Sequence, residues 1–185
     1  MSGELRDDLI AGISTHVGRV GVSTENDLLR HFLAAIAYRT QKALRDAPET
    51  FPDFAAGHQL RTPVQILRHM TSVLGYARTF FIGGTYPVKP EPLPTFTDEM
   101  SRFHQLLEDV AGHLSSETQI ALSPEQLLQG PFSDVMTHVG QLALLRRLAG
   151  TPIPPENFIM ADVRRDRLGM DQALPASPDA EWPER

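Results

Sequence analysis

The stretch "PFSDVMTHVGQLALLRRLAG", Pro131 to Gly150, decides how this chain is read. Asp134, His138, Leu142, Leu145 and Ala149 recur at spacings of three and four, which places them along one face of a helix. The lower part of that face is core material. Its head is a carboxylate followed by an imidazole, and a helix that turns such a face inward brings both groups to the edge of a packed interior.

Working outward, the same periodicity recurs three times between proline-bearing breaks. "STENDLLRHFLAAIAYRTQKALRDA" predicts a helix near 25–46, with Thr24 as N-cap, Asp27 three residues on, and the stripe Leu29, Phe32, Leu33, Ile36, Ala43. "RTPVQILRHMTSVLGYARTFF" predicts a second, capped by Thr62, with Pro63 in its first turn and a stop at Gly83-Gly84. "TDEMSRFHQLLEDVAGHL" predicts a third, capped by Thr97, with the stripe Met100, Phe103, Leu107, Val110, Leu114. A minor helix at "SPEQLLQ" precedes the opening stretch, where Pro131 suits a first turn.

Between the second and third helices, "YPVKPEPLP" at 86–94 carries four prolines and reads as an extended crossing. Four long amphipathic helices and one long crossover after the second predict an all-α four-helix bundle over residues 21–170. Residues 1–20 form an amphipathic N-terminal segment with Leu5, Leu9, Ile13 and Val17 roughly on one side. That stripe has no necessary place in a four-helix core, so it is expected to cap the bundle or pack on a second protomer. "ENFIMADVRRDRLG" is the only candidate for a strand, and residues 171–185 read as a flexible tail.

Composition narrows the chemistry. The 185 residues are 41% hydrophobic and 22% charged, as expected of a soluble globular domain. With no membrane-length apolar run and no secretory leader pattern, a cytoplasmic location is the default expectation. There is no cysteine, which excludes disulfides, thiolate metal sites and a cysteine nucleophile. The net charge of −6, with scattered cations, argues against nucleic-acid binding. P-loop, GxGxxG, GxSxG and HExxH patterns are all missing.

Any metal must therefore be held by His, Asp or Glu. Asp134 and His138 can share one divalent ion, or be a first-turn charge and its hydrogen-bonded neighbour. His69 lies on the line Ile66, Val73, Phe80 at the flank of the second helix's apolar face, as a core-edge residue or as a third ligand. Three protein ligands with solvent completing the sphere is a catalytic rather than a structural arrangement. His104 with Glu108 repeats the spacing on the third helix, but projection places it at the solvent border and reads it as a surface pair. His113 with Glu117 overruns its helix, and His16, His31 and His58 have no neighbouring pattern.

With "ILRHM" at 66–70 and "DVMTHVGQLALLRRLAG" at 134–150, the chain resembles the DinB/YfiT-like superfamily of bacterial metalloenzymes. The resemblance covers roughly residues 25–150. It implies a four-helix bundle with a crossover such as "GGTYPVKPEPLPTF", and a second-helix histidine matching His69. The superfamily's fourth helix often carries His-x3-His followed by Arg-Gly-Gln. Here Asp134 replaces the first histidine, as in relatives that are thiol-dependent isomerases or transferases, and Val139 replaces the arginine.

By that resemblance His69, Asp134 and His138 hold one divalent ion, zinc or nickel. Gln141 supports them by hydrogen bonding, and Gly140 permits close helix approach. The implied function is a metal-dependent transferase, isomerase or hydrolase acting on a small-molecule substrate, such as a low-molecular-weight thiol. The alternative is a non-catalytic homodimeric binding or stress-response protein.

Overall fold

The computed structural model describes residues 24–116 and 121–175. The N-terminal segment 1–20 and the end of the tail, 176–185, lie outside the described residues. Every regular element among the described residues is helical: α1 (Thr24–Leu44), α2 (Pro63–Ile82), α3 (Phe96–Ser115), α4 (Pro124–Leu127) and α5 (Ser133–Leu148). The strand candidate at 156–169 is instead coil with one 3-10 turn, Phe158–Met160.

The four long helices form the body. α1 and α2 each pack against both α3 and α5. Side-chain pairs give the directions. Arg68 meets Glu99 and Arg78 meets Asp109, so α2 and α3 run parallel. Asn26 near the start of α1 donates to the Leu114 carbonyl near the end of α3, so those two are antiparallel. Arg146 near the end of α5 donates to the Ala43 carbonyl at the end of α1, so those two are parallel.

A parallel α2–α3 pair requires the chain to travel back along a helix of 20 residues, about 30 Å. Residues 83–95 do this, and named contacts hold them to α2 and α3. Gly83, at φ 74, ends α2 in a conformation that favours glycine, and its N–H donates to the Thr79 carbonyl. The Tyr86 ring then lies on the face of Gly75, where an added Cβ would stand 2.3 Å from it. Ser72 Oγ donates to the Pro87 carbonyl at 3.0 Å. The buried Glu99 carboxylate accepts from the Leu93 N–H at 2.9 Å and pairs with Arg68 and Arg102.

The expected stripes face the interior. Leu29, Leu33 and Ile36 of α1, Ile66, Met70 and Leu74 of α2, Phe103, Leu107 and Val110 of α3, and Leu142 of α5 form one buried cluster. This contiguous apolar burial is the main source of stability.

Several local expectations are corrected. α3 is capped by Thr95, not Thr97, because a capping box needs three-residue spacing to its acidic partner. Thr95 Oγ1 accepts from the Asp98 N–H at 3.1 Å, and Asp98 accepts from the Thr95 N–H. In α1, described from Thr24 onward, Asp27 reaches Arg165 at 2.6 Å and Arg30 at 3.4 Å. Pro131 is not in the first turn of α5 but inside a π-helical segment, Leu128–Phe132, where Gly130 adopts φ −90, ψ −107. The kink at Gly130 joins α4 to α5 and lies four residues before Asp134.

His104 overturns its surface assignment. It is 2% exposed, and its Nδ1–H donates to the Leu168 carbonyl at 2.6 Å. Projection of α3 alone placed it at the border. The segment that follows α5 returns across that border and covers it, burying Leu168 and Gln172. Arg45 donates to the Gln172 carbonyl at 2.7 Å, so residues 171–173 are also engaged with the body.

Candidate metal centre

α2 and α5 place the three predicted residues together. His69 comes from the second turn of α2, Asp134 from the first turn of α5, and His138 from one turn later. One donor atom from each can be chosen so that all lie within 4.8 Å of one another. The His69 and His138 rings stand edge to face with centroids 4.7 Å apart, and His138 Nε2 is 3.5 Å from Asp134 Oδ1.

The second nitrogen of His138 is occupied. Its Nδ1–H donates to Gln141 Oε1 at 2.7 Å, one turn further along α5. That bond fixes the tautomer with the Nε2 lone pair bare and directed to the side where Asp134 lies. Gln141 therefore stands where it can orient a ligand. Gly140 does not do what was expected of it: it is exposed, and a Cβ there would meet nothing within 4 Å.

Burial is graded across the three. His138 is buried, His69 is half-buried, and Asp134 is exposed. Burial pushes the His69 imidazole below the ordinary histidine range, helped by the Arg61 cation and the His138 ring and opposed by Asp134. Lowering the pKa keeps the ring unprotonated, the form that offers a lone pair.

The donor set fits a divalent ion of borderline softness: two imidazoles and one carboxylate. Neighbouring donors around a tetrahedral zinc at about 2.1 Å lie about 3.4 Å apart, against a largest separation here within 4.8 Å. Side-chain torsion of roughly an ångström closes that difference. The exposure of Asp134 leaves one side of the set open.

Asp134 also stands in the wall of a cleft of about 520 Å³ between α2, the crossover and the turn that precedes α5. Sequence reasoning missed this cleft. The signals were there in Gly75 and in the proline-rich run, but only the returning chain turns them into a wall.

The chain matches no family model, no curated protein and no solved structure. Among the described residues no helix is long and apolar enough to cross a membrane.

Proposed function

We propose that the chain is a metal-dependent enzyme of the DinB/YfiT-like kind, a transferase or isomerase working with a small thiol, or a hydrolase. One divalent ion, zinc or nickel, would be held by His69, Asp134 and His138. The observation that carries this reading is the convergence of the three donors beside an open cleft, with Gln141 holding the far nitrogen of His138.

A divalent ion bound there supplies Lewis acidity and lowers the pKa of a water or thiol beside it. The chain's own residues do the rest. The depressed basicity of His69 keeps its ring from competing for protons near neutral pH. The Asp134 carboxylate offsets one positive charge and leaves an electrophilic centre. Because the chain has no cysteine, a thiol nucleophile must belong to the substrate.

Metal analysis tests this directly. Protein purified without a histidine tag and loaded with zinc or nickel is expected to hold about one ion per chain. His138→Ala is expected to lose it, and His31→Ala, at an exposed position, to keep it. Equal loss in both variants refutes the assignment. In the nickel form, a new charge-transfer band on adding a small thiol supports thiol chemistry, whereas an unchanged spectrum counts against it.

One observation favours the second reading, a non-catalytic homodimer. Leu144 and Leu148 lie one turn apart on α5 and are each more than half exposed, as are Ile159 and Met160. Sedimentation showing a dimer that takes up no ion would decide for that reading.

A further inference from the structure

The cleft beside Asp134 has walls of a definite chemistry. Val73 and Tyr76 come from α2, Tyr86 and Val88 from the crossover, and Pro131 from the π-helical turn. These are carbon surfaces, two of them aromatic, and Asp134 is the one ionisable carboxylate or cation in the lining. At about 520 Å³ the space is of the size that takes small-molecule ligands. An apolar cavity of about 150 Å³ already accepts benzene.

The wall is also preformed. Tyr86 cannot approach α2 more closely, because its ring already rests on the bare face of Gly75. The Ser72 bond to the Pro87 carbonyl fixes the next residue of the crossover. Opposite them, Pro131 is set by the π-helical turn, whose Gly130 conformation delivers both the cleft wall and, three residues after Pro131, Asp134.

We infer that this cleft binds an aromatic-sized apolar arm of the substrate, whose polar reactive group meets His69, Asp134 and His138. This rests on the metal reading above and adds a substrate class to it: molecules with a metal-binding head and an apolar ring, in preference to small hydrophilic ones. The ring replaces water on Val73, Tyr76 and Tyr86, and the head is thereby directed to the donors.

Two probes with the same head separate the contributions. On the zinc-loaded full chain, benzohydroxamic acid and acetohydroxamic acid both offer a hydroxamate, and differ by a phenyl ring against a methyl group. Calorimetry is expected to show benzohydroxamic acid binding about tenfold more tightly, the effect of removing on the order of 55 Å² of ring from water. Val73→Trp, which fills the cleft, is expected to bring the ratio close to one on the zinc-loaded variant. Tyr76→Ala, at an exposed part of the wall, is expected to lower the ratio by trimming the surface, and keeps the test decisive if the tryptophan variant misfolds. Equal affinities on zinc-loaded wild-type protein overturn the inference and leave the metal reading standing. A chain that takes up no zinc overturns both.

Discussion

Removing the Glu156 carboxylate should cost more stability than almost any other polar change in the chain. Glu156 lies in the segment after α5, and its side chain is 0% exposed, against 7% for Lys42 of α1. Its two oxygens are both used: Lys42 Nζ donates to one at 2.6 Å, and the Tyr38 hydroxyl donates to the other at 2.5 Å. Phe158, two residues on, packs edge-on against Tyr38 and lies under the Arg39 guanidinium at 3.7 Å. The carboxylate thus anchors the returning segment to α1.

Glu156→Ala leaves the Lys42 ammonium buried without its partner, a change that costs about 3–5 kcal/mol when one member of a buried pair is removed. The unpaired Tyr38 hydroxyl adds about 1 kcal/mol or more. Against this, the lysine stem can carry its ammonium towards the cleft formed with Leu144, Arg147 and Pro154, recovering part of the loss. A net destabilisation of about 3 kcal/mol is expected, or about 6–12 °C in Tm for a domain of this size.

Urea unfolding followed by helical circular dichroism measures it. A loss under about 1 kcal/mol would mean that the pair is solvated and the anchor is not where it is described. The combined Tyr38→Phe, Lys42→Met and Glu156→Leu variant should recover most of the stability, because apolar groups of similar size often replace a buried pair without loss.

Two further outcomes follow from the histidines. Gln141→Ala frees the His138 ring and should weaken zinc or nickel binding about 10- to 100-fold at unchanged stoichiometry; an unaltered dissociation constant would remove Gln141 from the site. For His104, burial lowers the pKa more than its bond to the Leu168 carbonyl raises it. In the unfolded chain this ring takes up its proton near the ordinary value of about 6.5, while the folded chain resists doing so. Its contribution to stability is therefore complete above that pH and declines as pH falls below it. His104→Asn, whose amide N–H can stand in for Nδ1–H, should flatten the pH dependence of the unfolding free energy below about 6.5. An unchanged slope would show that His104 is not the group responsible.

The elements of this protein are set by interactions within a turn or two, and those were readable from residue order. Periodic Leu, Ile and Phe marked the four long helices, Thr62 and Pro63 marked the start of α2, and Gly83 its end. Asp134 and His138 were legible as a pair for the same reason: a spacing of four is a local geometry. The start of α3 was expected at Thr97, and the hydrogen-bond spacing to Asp98 places the cap at Thr95 instead.

What residue order did not contain is which faces meet. Periodicity placed His69 at the edge of the core and His104 at the solvent border, and only the second placement was wrong. The returning segment buries His104 against Leu168, while α5 brings His138 against His69. The cleft wall depends in the same way on the crossover laying Tyr86 over Gly75. These outcomes join residues far apart in the chain, so they follow from packing the whole apolar surface at once. A helix's own 3.6-residue repeat shows which side is apolar, and only its neighbours decide what that side touches.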